Sequence, residues 1–595
     1  MNRPAESTPA IPTAAVAGIL AAATVLGVGH LIAAVIDPEA APFFALGGWV
    51  VDHTPHTLKD MAIRRFGSND KLALFLSMSG VMLVGAALIG ILERRRPFGS
   101  ALLVVFAALV VVAALQRPTA TPWFAVPTVL GAVAGIAALR LLRRRAPSRS
   151  VTGSTPSERS RARRHAAGRS SHPDVREIRA HTLDFSDTGS PPLVGANQPD
   201  EAASGEYRIP DAAPDTDGGA GPAVRSGSER AAGADPGTGK AGPGPTRRGF
   251  LALTAGVGAF ALGTAAAGQW LGGRLRDVGA DRARFPLPRT APVAAAPELP
   301  VRGLTEFVTP NDRFYRVDTA LRVPTLRSTD WRLRIHGMVD RELDLDFDDL
   351  RTRTAVARMI TLTCVSNEVG GELAGTAVWT GYPLADLLAE AGVRPGADLL
   401  LSRSVDGFTA GTPVSAVTDG RDALLAVGMN GNPLPIEHGY PARLVVPGLY
   451  GYVSATKWVI DLELTRFDLA SAYWTDRGWS AQAPIKAASR IDVPAAFATV
   501  PVGRVVVAGV AWAQRLGIDR VEVQVDENPW QQAELGAEYS VDTWRQWSWW
   551  WDAVPGTHTL RVRAVDRVGV VQTDARARPF PDGSTGWHNR VVTVR

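Results

Sequence analysis

The sequence predicts a multi-domain chain: an α-helical membrane region, then an α+β domain, then an antiparallel β-sandwich. Three patterns carry this. Four long apolar runs lie within residues 1–145, short strand patterns and helical ones intermingle over 275–480, and apolar and polar residues alternate at period two over 481–595. At 595 residues several domains are expected, and the net charge of +5 averages over very unlike parts. No feature points to a nucleic-acid partner.

The apolar runs cover 11–36, 71–92, 101–115 and 122–142. A helix needs about 20 such residues to cross the hydrocarbon core of a bilayer, and the third run is the shortest. The second ends in Glu93 and Arg94 to Arg96, and the fourth in Arg140 and Arg143 to Arg145. Arginine-rich flanks stay cytoplasmic. Both basic ends and the N-terminus are therefore placed inside and the loop 37–70 outside, although that loop carries Lys59, Arg64 and Arg65. His30 falls within the first run, where an ionisable residue is a functional candidate by default. Haem ligation calls for facing histidines, and His53 and His56 fall in the loop, so a polar contact between helices is the favoured role for His30.

Residues 146–245 are rich in Gly, Pro, Ser, Asp and Arg and poor in large apolar side chains. Such a segment buries too little surface to offset its ordering entropy, which predicts a disordered cytoplasmic linker. At 246–272 two arginines and a Phe-Leu pair precede an apolar stretch of small residues, TRRGFLALTAGVGAFALGTAAAGQW. This reads as a twin-arginine-like export signal retained as an anchor. An ordinary fifth membrane helix is the alternative. Either way everything after Trp270 lies outside.

Over 275–480, strand patterns such as DWRLRIHGMV, ARLVVP and KWVIDLELT surround the helical PLADLLAEAG without regular βαβ alternation, which predicts an α+β domain. Over 481–595, RVVVAGVAWA, RVEVQVD, WRQWSWWWDAV and HTLRVRAVD read as strands of a β-sandwich. Trp547, Trp549 and Trp551 share one strand face, as core or interface residues do.

Cys364, in TLTCVSNEVGG, is the chain's single cysteine, so it has no disulfide partner within the chain. It is either a small buried hydrophobe or a lone thiolate ligand to a metal whose other ligands come from a cofactor. No neighbouring base fits it for a nucleophile. The local residues leave the choice open.

Four segments then occur in a telling order: TPNDRFYRVDTALRVP (309–324), DWRLRIHGMVDR (330–341), TLTCVSN (361–367) and GYPARLVVPGLYGYVSATKW (439–458). Together they resemble the sulfite oxidase superfamily of molybdopterin-dependent oxidoreductases, in a bacterial, membrane-anchored form, over nearly all of 300–595. The resemblance implies an α+β molybdopterin-binding domain followed by an Ig-like dimerisation domain. It makes Cys364 the thiolate ligand of molybdenum. It implies molybdopterin contacts from Asn311, Phe314, Tyr315, His438, Arg443, Ser454 and Lys457, with Arg443 or Lys457 on the cofactor's phosphate. Arg316 matches a family arginine and would act beside Cys364 in catalysis.

The resemblance also bears on substrate. Sulfite oxidases place arginines just after the cysteine, where this chain has Glu368 and Val369. The tyrosine they place beside the metal is missing from SAYWTDRGWS, where Trp474 or Trp479 falls nearby. The resulting expectation is a membrane-anchored, exported molybdenum enzyme transferring oxygen atoms on a small S- or N-oxide-type substrate. It would use an unidentified electron-transfer partner and form a possible homodimer through its C-terminal domain. A sulfite dehydrogenase is the alternative. A cofactor-less membrane protein that binds a partner through its sandwich is another, and Cys364, Asn311 and Arg443 speak against it.

Overall fold

The computed structural model describes residues 10–55, 58, 61, 65, 70–94, 96–146 and 246–595. Apart from Ala146, the linker expected at 146–245 lies outside the described residues, as do His56, Lys59 and Arg64.

The N-terminal half is helical: α1 (Ile11–Ala33), α2 (Pro42–His53), α3 (Asp70–Leu92), α4 (Phe98–Leu115), α5 (Ala125–Arg145) and α6 (Arg247–Leu275). All but α2 belong to the 5 helices long and apolar enough to cross a membrane. Where the sequence predicts a loop, α2 is a finding: its 12 residues are too few to stand out as a span, and Pro42 at its first position is preorganised for a helix start. His53 closes this helix.

α1 is the central helix. A Cβ on Gly18 would overlap the backbone of Ala86 and Gly90 in α3, and one on Gly27 that of Ala261 in α6, while Gly131 of α5 abuts Val25. Small residues at helix crossings let backbones approach closely, as in membrane bundles. His30 packs against Gly268 of α6 and Phe44 of α2, the interhelical place expected for it.

The two ends of the bundle differ. At one end Glu93 is buried, accepts from the Ser100 amide (2.7 Å) and hydroxyl (2.9 Å), and lies 3.7 Å from Arg143. Phe250, at the start of α6, packs in the same cluster as Leu103 and Leu142. At the other end the bundle meets the following domain. Lys71 pairs with Asp318 at 2.8 Å, Tyr473 donates to Asp52 at 2.9 Å, and the Arg322 guanidinium lies 5.1 Å from the Phe44 ring centre.

That domain is built on two sheets. One takes β1 (Leu333–Gly337), β2 (Leu343–Leu345), β5 (Leu399–Ser404), β6 (Thr409–Pro413) and β10 (Val459–Thr465) in the order β2-β1-β10-β5-β6, with β1 and β10 parallel. The other takes β3 (Val356–Thr363), β4 (Ala374–Pro383), β7 (Leu424–Met429) and β8 (Asn432–Pro433) in chain order, with β9 (Arg443–Val445) also on β7. Both contribute to one apolar core in which Phe307, Trp331, Trp379 and Tyr440 are buried. β4 is buried along almost its whole length, so its sequence shows no apolar–polar alternation.

The C-terminal region is β-rich. β11 (Ala488–Val493), β13 (Gly503–Trp512), β16 (Glu534–Leu535) and β17 (Arg545–Ala553) form one sheet, and β12 (Thr499–Val500), β14 (Ile518–Val525), β15 (Gln531–Gln532), β18 (Gly556–Asp566) and β19 (His588–Val594) another. Val523, Leu560, Val562, Trp547 and Trp551 share their core, with Trp549 packed against it. Trp550 faces outward, as the period-two pattern requires.

Candidate active site

Cys364 follows the last residue of β3, at the mouth of a loop that its own side chains close. The Cys364 amide donates to Leu373 O (2.9 Å), the Asn367 amide to Cys364 O (3.0 Å), and the Leu373 amide to Asn367 Oδ1 (2.9 Å). From the C-terminal region Arg490 Nη1 donates to Gly371 O (2.8 Å), Ser584 Oγ donates to Asn367 O, and the His588 ring lies against Gly370. The thiol is thus held by both regions. Burial pushes it up, and the Ser366 amide and hydroxyl pull it partly back.

An aromatic wall adjoins it. Phe314 stacks on Tyr315 (centres 5.1 Å apart) and meets Trp379 (5.7 Å) and His438 (5.6 Å) edge-on. Gly375 allows this, because a Cβ there would press on the Phe314 ring. Tyr315 is close enough to Cys364 that burial and then the cysteine's charge raise its phenol far above the usual range. Tyr450 is held up to about 12 by burial, with Cys364 a lesser contributor.

Asn311 is fixed by its amide: Nδ2 donates to Met429 O (3.3 Å), and Oδ1 accepts from Asn430 (2.8 Å). His438 contacts Asn311 O through Nε2 at 3.3 Å. Burial, then Arg443 and Lys457, depress His438 to about 4, so its imidazole is neutral at neutral pH. Ser454 Oγ donates to the carbonyls of Leu449 and Tyr450, both at 3.0 Å, so its hydroxyl is engaged within its own turn.

The cations divide into two kinds. Arg443 is buried over the Trp379 ring (5.0 Å) and donates only to carbonyls, His438 O at 3.2 Å and Leu444 O and Ala455 O at 3.3 Å. No carboxylate pairs with it among the described residues, and burial lowers it to about 10. Lys457, Arg316 and Lys71 instead converge on Asp318 at 2.7, 2.8 and 2.8 Å. Burial alone would raise Asp318, but Lys457, Arg316 and Lys71 hold its carboxyl well below the usual range. Burial likewise pulls Lys457 down to about 8 against the Asp318 charge.

The structure therefore brings Asn311, Phe314, Tyr315, His438, Arg443 and Lys457 together and puts Cys364 beside Tyr315. Arg316 stands at the rim, its charge directed to Asp318, and Glu368 is exposed. Sequence reasoning passed over Asp318, Trp379, Asn430 and Tyr450. Asp318 left a signal, an acid two residues after Arg316 in a segment with three arginines. Trp379 left none, being one apolar residue in a buried strand.

Residues 320–474 match the family model of the oxidoreductase molybdopterin binding domain. The chain is similar to the mitochondrial sulfite oxidase of Rattus norvegicus, 30% identical over 296 residues that cover 42% of this chain but only 54% of the rat protein. It is 30% identical over 151 residues to the uncharacterized oxidoreductase YuiH of Bacillus subtilis (strain 168), covering 25% of this chain and 73% of that one. Among solved structures it is similar to the sulfane dehydrogenase SoxCD from Paracoccus pantotrophus, with 26% identity, a TM-score of 0.43, and coverage of 49% of this chain and 84% of that one.

Such a family implies a molybdopterin, and the residues present fit that group. A soft ligand is available in the one thiol. Arg443 is a buried cation without an anion of its own, the situation in which a phosphate is strongly bound. Thr363 Oγ1, next to Cys364 in sequence, is buried with no hydrogen-bond partner among the described residues. Likeness to a bacterial oxidoreductase across most of its length, joined to this donor set, places the chain in the sulfite oxidase-like family of molybdopterin-dependent oxidoreductases, as an enzyme whose cofactor is molybdopterin.

Proposed function

We propose that this enzyme is membrane-anchored with its active site on the extracytoplasmic side, and that it transfers oxygen atoms on a small S- or N-oxide-type substrate. When bound, the cofactor supplies the two-electron chemistry. Cys364 would hold its metal, Arg443 its phosphate, and Asn311 and neutral His438 the polar edge of its pterin. The Phe314–Tyr315–Trp379 wall would keep water from the far side. Ser454 would act through the turn it closes rather than by its hydroxyl, and Lys457 and Arg316 through Asp318.

The observation that carries the substrate reading is the use already made of the nearby cations. A sulfite dianion needs charge-assisted donors. Arg316 and Lys457 are both on Asp318, and Glu368 and Val369 follow the cysteine. A specific observation favours sulfite dehydrogenation as a second reading: Arg576 and Arg590 lie around His588 beside the Arg490–Asp492 pair (2.6 Å), and His588 touches the cysteine loop at Gly370. Turnover of the cofactor-loaded full chain with a soluble redox dye, measured on sulfoxides, N-oxides and sulfite in parallel, separates the two. Efficient sulfite oxidation with no oxide reduction would replace the first reading by the second.

The placement of charged ends supports the topology. Arg94, Arg143 and Arg247 lie at the bundle end away from the exported domain, as cytoplasmic flanks do. Two arginines at the N-terminus of α6 oppose its macrodipole, so retaining them there fits an export signal better than helix stability. The domain boundaries proposed are 1–145, 146–245, 246–272, 275–480 and 481–595, with the last an Ig-like sandwich able to pair two copies. Changing Arg247 and Arg248 together to Lys should block export of a reporter fused after Arg595 and leave one after Arg145 cytoplasmic. Unimpaired export would make α6 an ordinary span.

A further inference from the structure

A cavity of about 420 Å³, which the chemistry above does not use, opens where α2 and the end of α4 meet the segment Tyr473–Arg477. Trp49 and His53 form a flat wall, their rings stacked 4.3 Å apart at 25°, and Trp49 is fixed by Gln116 at 2.9 Å. Across from them the Arg477 guanidinium lies 3.6 Å from the centre of the Tyr473 ring, and its Nε is buried with no hydrogen-bond partner among the described residues. Asp52 accepts from Tyr473 Oη at 2.9 Å and is approached by Arg117 (3.4 Å) and Arg477 (3.5 Å). A planar ring with polar atoms at its edges fits such walls: a face to stack on, a cation and a carboxylate.

Two independent observations identify the class of ring. The first is connection. Tyr450, within electrostatic reach of Cys364, is followed two residues on by Tyr452. From there rings run Tyr452–Trp479 (5.8 Å), Trp479–Trp474 (6.1 Å) and Trp474–Tyr473 (5.1 Å), and Tyr473 lines the cavity. Ring systems in contact offer electrons short steps, so Tyr452, two residues from Tyr450, is joined to the cavity by three ring contacts. The second is position. The cavity lies at the bundle end that meets the exported domain, beside the last turn of α4 at Leu115, where a molecule dissolved in the bilayer would present its polar head.

We propose that this cavity binds the ring of a membrane-soluble quinone, and that the Tyr452–Trp479–Trp474–Tyr473 rings pass electrons between it and the cofactor. This rests on the oxygen-atom-transfer reading and names its electron partner. For an oxide substrate XO the balance is XO + QH2 → X + H2O + Q. The quinol is oxidised, two electrons cross the rings singly, two protons leave its hydroxyls, and the X–O oxygen departs as water. For sulfite it runs in reverse, with water supplying the oxygen and the quinone reduced to quinol. Arg477 is a cation lining the cavity beside the ring's polar edge, and Asp52 and Asp476 are the carboxylates lining it that can exchange the protons.

The test uses the cofactor-loaded full chain in nanodiscs, with a short-chain ubiquinone analogue as probe. Saturable quenching of tryptophan fluorescence is expected, weakened about tenfold in Trp49→Leu, the equivalent of one lost aromatic contact. Quinone-linked turnover should fall likewise in Trp49→Leu and Trp474→Leu, while quenching persists in Trp474→Leu. Dye-linked turnover should be retained in Trp49→Leu, whose ring lines the cavity from α2. Absence of saturable quenching, or quinone-linked turnover indifferent to both changes, overturns the proposal. So does displacement of the probe by anionic lipid without any quinone-linked turnover, which would make the cavity a lipid seat. Dye-linked turnover without quinone binding sinks this inference and leaves the oxygen-transfer reading intact. Quinone binding with no oxide or sulfite turnover by any donor does the opposite.

Discussion

Arg443 and the trio Lys457, Arg316 and Lys71 share one wall of the site and are handled in opposite ways. The trio is neutralised inside the protein by Asp318, three cations on one carboxylate. Arg443 is buried on carbonyls and an indole face, with no carboxylate on it among the described residues. An unpaired buried charge is costly. Its retention marks a place whose counter-charge comes from a ligand, whereas a satisfied group marks architecture. The same residue type, arginine at 443 and at 316, thus carries different meanings, and the difference lies in one acid.

The comparison can be broken or sharpened by substitution. The largest effect is expected from Cys364→Ser, which removes the thiolate beside the Arg443 side of the site. Turnover should disappear and the metal's spectroscopic signal change, while the apoprotein melts as before. Normal turnover in this variant would show that the thiol is only a small core residue. Next comes Asp318→Asn. Breaking a buried ion pair by removing one partner costs about 3–5 kcal/mol, and here three cations lose it. Thermal or denaturant unfolding should show a loss of that order, with the bundle–domain contact through Lys71 loosened. A change near zero would mean that solvent already screens the group.

Arg443→Met should act the other way round. Cofactor retention is expected to drop by about one to two decades, for one lost charge-assisted bond of about 1.5–3 kcal/mol. The apoprotein, relieved of an uncompensated charge, should be no less stable. If the apoprotein unfolded more readily and cofactor content stayed full, Arg443 would be structural.

A pH profile gives a smaller signal. The Asp318 carboxyl is depressed in the folded state, so its contribution is fully present above the unfolded value of about 4 and is lost as pH falls toward the lowered folded value. Stability of the wild type should therefore fall with acidification below about pH 4 more steeply than that of Asp318→Asn. Parallel slopes would contradict the ion-pair assignment. The smallest effect is expected from Glu368→Arg. That side chain is exposed, and exposed charges contribute about 0–1 kcal/mol, so the apparent Michaelis constant for sulfite should fall by a few-fold at most. A large drop would mean that the loop turns Glu368 inward when substrate binds.

Much of the framework was legible in the chain. Apolar length marks α1 and α3 to α6, and period-two alternation marks β14 and β18, because a bilayer and a half-buried sheet each impose a pattern on consecutive residues. The short α2 escaped for the same reason: it is too brief to be a span and too apolar to read as an amphipathic surface helix. In the site, the residues of TPNDRFYRVD and HGYPAR were legible through the family resemblance that these short segments carry. Trp379 and Asn430, which complete the ring wall and hold Asn311, come from β4 and the turn after β7 and have no local mark.

The sequence by itself determined that the chain carries a single thiol, that basic ends flank apolar helices, and that Arg316, Arg443 and Lys457 are available as cations. Those are properties of residue type and local order, and no folding is needed to read them. Only the tertiary structure decided which cation is spent and which is free. Asp318, next to Arg316 in the chain, also reaches Lys457 and Lys71, 139 and 247 residues away, and leaves Arg443 alone. Charge pairing acts over a few ångströms whatever the separation along the chain, so the allocation of one carboxylate among four cations is settled where the strands, the loop and the end of α3 converge.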